Sequence, residues 1–117
     1  MEVIKKGRYV QEVLNNAGPL HLLVSAKESG ARNCQAGMAV LAPGQRLPAA
    51  GYSRHPSEEI SYIVSGTVKV HTDSGWEIAE EGDLVFMPEN KPHFNENIAK
   101  SQAQILWFVT PITVKEN

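Results

Sequence analysis

Two imidazoles and a carboxylate, His55, Glu59 and His93, are the residues of this 117-residue chain whose types and spacing best support chemistry. Neutral imidazole nitrogens and a carboxylate oxygen suit Fe, Mn, Ni, Co or Zn, and three such ligands leave coordination positions open for water or substrate. Two histidines and one carboxylate are the ingredients of a facial site, whose open side lets Fe(II) take substrate and oxygen together. No Ser-His-Asp set, pair of catalytic carboxylates or phosphate-binding loop competes with them. The lone Cys34 has neither a histidine nor an acid beside it, so it reads as a small buried or neutral residue rather than a nucleophile.

These three need extended chain to position them. Pro56 disfavours helical geometry at His55. Residues 59–64, Glu-Ile-Ser-Tyr-Ile-Val, are rich in β-branched and aromatic types and read as a strand. Residues of one parity share a strand face, which groups His55, Glu59, Ser61 and Ile63 and sends Glu58 and Tyr62 the other way. Ser53, Ser61, Ile63 and Asn95 are the expected substrate-lining residues around the three ligands.

The rest of the chain reads as short strands between turn signals. A short helix is expected over residues 9–16, stopped by the Asn-Asn-Ala-Gly-Pro cluster at 15–19. Strands follow at 20–25 and 35–42, separated by a polar loop at 27–33, and Pro43-Gly44 closes the second. Residues 67–71 alternate, with Val68 and Val70 on one face and Lys69 and His71 on the other. Asp73-Ser74-Gly75 makes a hairpin into 76–79, Gly82-Asp83 turns into 84–87, and Pro88 ends that strand. The last strand is 104–110, where Trp107 and Phe108 face opposite ways. Met38, Ile63 and Phe86 are expected in the core, His21 in the core or at an interface, and His71 at the surface. Seven to nine strands without a long amphipathic helix argue for an all-β sandwich or closed barrel, one domain over residues 1–117 with no linker.

Apolar residues make up 42% and charged residues 21%, ordinary for a globular chain. A net charge of −2 gives no reason to expect nucleic acid or an anionic membrane surface as a partner. No apolar run approaches the roughly 18 residues of a membrane span, and the first residues lack a signal-peptide core. A cytoplasmic protein is the expectation, and a single cysteine agrees with a reducing compartment.

With these motifs in place the chain resembles the cupin superfamily, of the small single-domain conserved-barrel type. The family's first motif is Gly, five residues, His-x-His, three or four residues, Glu, six residues, Gly. Its second His falls on His55, its Glu on Glu59 and its last Gly on Gly66, the motif lying at about 51–66. The second motif, Gly, five residues, Pro-x-Gly, two residues, His, three residues, Asn, falls on Gly82, Pro88, His93 and Asn97, at 82–97. Three positions depart: Leu47 stands for the opening Gly, Asn90 for the Pro-x-Gly glycine, and Ser53 for the first histidine. Asn tolerates left-handed backbone nearly as well as Gly. Serine is a far poorer metal ligand than imidazole, so the site has either three protein ligands or a weakened or lost metal.

The resemblance implies an antiparallel jelly-roll β-barrel with the site inside it. It implies one divalent ion (Fe, Mn, Ni or Zn) on His55, Glu59 and His93, and a structural role for Asn97. It also implies a small-molecule ligand or substrate and a homodimer formed through N-terminal strand exchange. Two functions stay open: a dioxygenase, isomerase or lyase, and a non-enzymic binding or sensor protein.

Overall fold

The structure, a computed structural model, describes residues 1–5 and 19–113. Among these, nine strands and one short helix follow in order: β1 (Leu20–Val24), α1 (Ala26–Ser29), β2 (Gln35–Leu41), β3 (Arg46–Leu47), β4 (Glu58–Ser65), β5 (Thr67–Thr72), β6 (Gly75–Glu80), β7 (Leu84–Met87), β8 (His93–Asn97) and β9 (Ala103–Thr110). The helix expected over residues 9–16 lies outside the described residues.

The strands form two sheets, one of five in the order β1-β2-β9-β4-β7 and one of four in the order β3-β8-β5-β6, with every ladder antiparallel. This is the jelly-roll architecture, but hydrogen bonding does not join the two sheets into a closed cylinder. The seam between β6 and β7, both sheet edges, stays open.

Period-two alternation decides what fills the space between the sheets. On β9, Ala103, Ile105, Trp107 and Val109 point inward and are buried, whereas Phe108 is 43% exposed. Ile63 of β4 and Val68 and Val70 of β5 meet them in one apolar cluster, with Leu41, Ala79 and Met87. Each such side chain contributes about 1.5–3 kcal/mol by leaving water. Phe86 corrects an expectation. It pairs with Ile60 on the outer side of β7, so its neighbour Met87 enters the core and Phe86 is left 57% exposed. Met38 and Ile63 are buried as expected.

Two further expectations need amending. Residues 26–29 of the segment around the polar loop form α1, capped by Ser25, whose hydroxyl accepts from the Glu28 N–H at 3.1 Å, and closed by Gly30 in left-handed geometry. Cys34 is exposed rather than buried, because it precedes β2 and no sheet covers it.

Two glycines and an asparagine set the frame. Gly37 of β2 lies opposite Trp107, and a Cβ there would stand 2.3 Å from the indole and 2.4 Å from the His21 carbonyl oxygen. The bare backbone is the seat of the indole. Gly66 turns β4 into β5 at φ 92°, with Ala103 closing off the space a side chain would need. Buried Asn97 donates to the carbonyls of Leu41 (3.0 Å) and Ser101 (2.8 Å) and accepts from the Ala99 N–H (2.9 Å), tying three segments together. Asn90 has φ 60°, the left-handed geometry expected at the glycine position of the second motif.

Candidate metal centre

Each donor reaches the centre by a different local device. Glu59 is the second residue of β4 and has the inward parity of Ser61 and Ile63, opposite Met87 on one side and Val109 on the other. His93 opens β8, pinned there because Ser53 makes a two-bond bridge with it: Ser53 N–H to His93 carbonyl at 2.8 Å and the reverse at 3.0 Å. His55 does not share a continuous strand with Glu59. The chain bends at Pro56 and Ser57 before β4 begins at Glu58, and the His55 carbonyl accepts from the Asn90 N–H at 2.8 Å. The imidazole still converges on Glu59, by loop geometry rather than by parity.

His55 Nε2 lies 3.3 Å from Glu59 Oε2, and His93 Nε2 lies 3.6 Å from the same oxygen. The two rings meet edge to face with centroids 5.3 Å apart. One donor atom from each of the three residues lies within 4.8 Å of the other two, and among the described residues no other trio of His, Cys, Asp and Glu comes so close. Two donors about 2.1 Å from one ion at right angles would be about 3 Å apart. The two imidazole–carboxylate separations, 3.3 and 3.6 Å, are close to that.

The surroundings fix which nitrogens face inward. His93 Nδ1 is 2.8 Å from the Lys91 carbonyl, which can only accept, so Nδ1 donates and Nε2 is turned to the centre. His55 Nδ1 is 2.8 Å from Ser57 Oγ, and that buried hydroxyl lies 3.0 Å from Thr113 Oγ1. Oxygen partners on the outer nitrogen are what orient imidazole ligands at metal sites.

Electrostatics support the same assignment. Burial pushes the Glu59 carboxyl up, but hydrogen bonds from His55 and His93 and their charge overcome this and bring it down to about 2. Burial pushes His93 down, and the Glu59 hydrogen bond, the Lys91 carbonyl and the Glu59 charge more than reverse it, so His93 is raised. Without an ion, the Glu59 carboxylate favours the protonated form of the His93 ring beside it. A divalent cation takes the place of that proton, which is the ordinary competition at a metal site. The donor set therefore fits a metal ion.

The centre opens on a cavity of about 210 Å³. Ser53, Ser61 and Asn95 line it together with the three donors. Ile63 does not. It is 1% exposed and borders a smaller void of about 10 Å³ that shares Glu59, Ser61, His93 and Asn95 with the cavity. Missed in the sequence were the apolar walls, Leu47, Pro48, Trp107 and Val109 among them, and the Ser57 and Lys91 partners of the imidazoles. The turn-rich segment after Gly44 hid β3, which pairs Leu47 with Asn95 and brings it over the cavity. The indole N–H of Trp107 is buried and has no hydrogen-bond partner among the described residues.

The remaining histidines stand apart. His71 is on the outer face of β5, stacked on Phe94 with centroids 4.0 Å apart and 3.3 Å from Glu96. His21 is buried. A larger open trough of about 570 Å³ runs along β6 and β7 and contains none of the three donors. No helix among the described residues is long and apolar enough to cross a membrane.

Comparison with known families matches residues 37–109, more than half of the chain, to the family model described as a cupin domain. Among solved structures, the Thermus thermophilus protein TT1209 is similar at 21% identity and a TM-score of 0.72, covering 95% of this chain and 98% of its own. A Thermotoga maritima protein described as a predicted oxalate decarboxylase is similar at 19% identity and a TM-score of 0.68, covering 80% and 79%. The cupin domain of Schizosaccharomyces pombe Cnp3 is similar at 13% identity and a TM-score of 0.68, covering 80% of this chain, which spans 64% of that one. At these identities the likeness is one of fold. A search of curated proteins finds no match.

Proposed function

From the premise that this chain belongs to the cupin domain family, we propose that it binds one divalent metal ion, Fe, Mn, Ni or Zn, through His55, Glu59 and His93 and acts there on a small molecule. The observation that carries the reading is the convergence of three donor atoms within 4.8 Å at the end of a cavity, with both outer imidazole nitrogens engaged by oxygen. The ion supplies Lewis acidity or oxygen activation when bound. The chain's own residues do the rest: Glu59 keeps its charge, Lys91 and Ser57 hold the rings in place, and Ser53, Ser61 and Asn95 offer hydrogen bonds to a ligand at the cavity mouth. Dioxygenation, isomerisation and lyase chemistry are the candidate reactions, and the likeness to the Thermotoga maritima protein, a predicted decarboxylase, lends support to the last. A homodimer of this one domain is part of the same proposal, and sedimentation tests it.

Isothermal titration with Zn(II) and Mn(II) tests the metal reading. The parent is expected to bind one ion per chain, and His55→Ala, Glu59→Ala and His93→Ala are each expected to weaken binding by about 100-fold or more, at least the upper end of what losing a ligand's hydrogen-bond partner costs. Variants that bind as the parent does would refute it.

A second reading has a specific observation behind it. Ser53 removes one imidazole from the motif, which favours a binding or sensor protein that does not need the metal. Such a protein keeps its ligand affinity after chelation. An enzyme of the proposed kind loses turnover.

A further inference from the structure

The cavity also specifies the body of its ligand, and this inference rests on the metal reading for the ligand's head. Polarity in the 210 Å³ space is divided by strand. Its polar groups gather at one end, Glu59 and Ser61 from β4 of one sheet facing His93 and Asn95 from β8 of the other, with Ser53 and His55 just before β4. Across the sheet the next strands supply only apolar wall, Ile105 and Trp107 from β9, Ala39 from β2 and Leu20 from β1, with Leu47 of β3 opposite. The register makes this a continuous path. Ser61 is paired with Trp107, and in the next inward row Ile105 is paired with Ala39 and Ala39 with Leu20. Three strand spacings of about 4.8 Å separate β4 from β1.

Charge and size narrow the ligand further. Among the described residues no Lys or Arg lines the cavity, and its one carboxylate, Glu59, is engaged by the imidazoles. A second anionic group or a row of hydroxyls along this wall would find no cationic or polar partner, although Leu20 at the far end is 44% exposed. At about 210 Å³ the space is smaller than the roughly 300–1,000 Å³ of pockets for drug-sized ligands, which favours a small acid over a sugar phosphate. At the near end, an ion held by His55, Glu59 and His93 would keep coordination positions for a ligand, which suits a head with two adjacent oxygens. Ser53, where the motif otherwise carries an imidazole, keeps that side small and gives it a hydroxyl.

We propose that the cavity takes a monocarboxylic acid with an oxygen on the adjacent carbon and a short branched aliphatic body. The two oxygens lie toward His55, Glu59 and His93, and the body lies over Trp107 and Ile105 toward Ala39 and Leu20.

The chain has two tryptophans, and Trp76 is 58% exposed, so Trp76→Phe leaves Trp107 in the cavity wall as the only indole reporter. Zinc-loaded Trp76→Phe protein is titrated with 3-methyl-2-oxobutanoate, with glyoxylate (the same head, no body) and with 2-oxopentanedioate (the same head, a charged body). The expected result is at least tenfold tighter binding of the branched acid than of either other. Ala39→Leu, filling the apolar end, is expected to abolish that preference while leaving glyoxylate affinity and zinc content unchanged. Leu47→Asn repeats the test from the opposite wall should Ala39→Leu fail to fold. Equal or tighter binding of glyoxylate or the dicarboxylate, or no binding of any of the three, overturns the proposal. Zinc content measured on the same samples separates the two readings. If no zinc is retained, the metal reading fails, and the titration of metal-free protein decides the body: a tenfold preference upholds it and equal or absent binding overturns it.

Discussion

Ser53 leaves the donor set one imidazole short of the motif that the chain otherwise keeps, yet its backbone is held against His93 by two hydrogen bonds. A residue so placed can return a ligand without moving the chain. Ser53→His is expected to tighten Zn(II) binding tenfold or more, read by competition with a chromogenic chelator; unchanged affinity would mean that position 53 does not face the ion. Glu59 and His93 predict a pH profile for the metal-free protein. Glu59 falls from an ordinary 4.5 to about 2, so its stabilisation is complete above 4.5 and is lost as pH falls from 4.5 toward 2. His93 is raised above its ordinary 6.5, so its stabilisation is present below 6.5 and is lost as pH climbs through the raised value. Thermal melts should therefore peak between about 4.5 and 6.5, and Glu59→Gln should flatten both flanks. A parent profile with no such peak would contradict the pairing. The three donors were legible from spacing alone. Ser57 and the Lys91 carbonyl were not, because which oxygen meets an imidazole's outer nitrogen depends on a bend at Pro56 and a loop before β8 that spacing does not encode.

Strand parity carried most of what could be read at the level of elements. It put Trp107 and Phe108 on opposite faces without saying which turns inward, Val68 and Val70 on one face away from Lys69 and His71, and Glu59 and Ser61 on the site face. It also holds the lesson of Phe86. An apolar run of four residues, Leu84–Met87, has no alternation to reveal its phase, so only its pairing with β4 shows that Met87 enters the core. The reading of a polar loop at 27–33 passed over the cap of α1, although Ser25 stands three residues before Glu28. Gly37 gives the sharpest test at this scale. Gly37→Ala drives a methyl group into the indole and the His21 carbonyl oxygen, and overpacking of this kind costs about 1–3 kcal/mol. Chemical denaturation should show that loss together with a shift in Trp107 emission. A neutral substitution would mean that Gly37 does not seat the indole.

The cavity belongs to the whole molecule, since it exists only where two sheets face each other with β3 and the segment before β4 folded over one end. Its apolar wall comes from separate places in the chain, from Leu20 to Val109, and no local pattern joins them. The turn density and strand spacing were enough to read an all-β sandwich or closed barrel, and the motif resemblance supplied the antiparallel jelly roll; whether its sheets close depends on the β6 and β7 edges, which hydrogen bonding leaves apart. The central claim is that this fold assembles a three-residue metal centre. Metal content by inductively coupled plasma mass spectrometry, on untagged parent protein and a Glu59→Ala, His93→Ala double variant, tests it most directly. One equivalent of Fe, Mn, Ni or Zn per parent chain and none in the variant is the predicted result. A parent that is empty and cannot be loaded, or a variant that retains its metal, would contradict it.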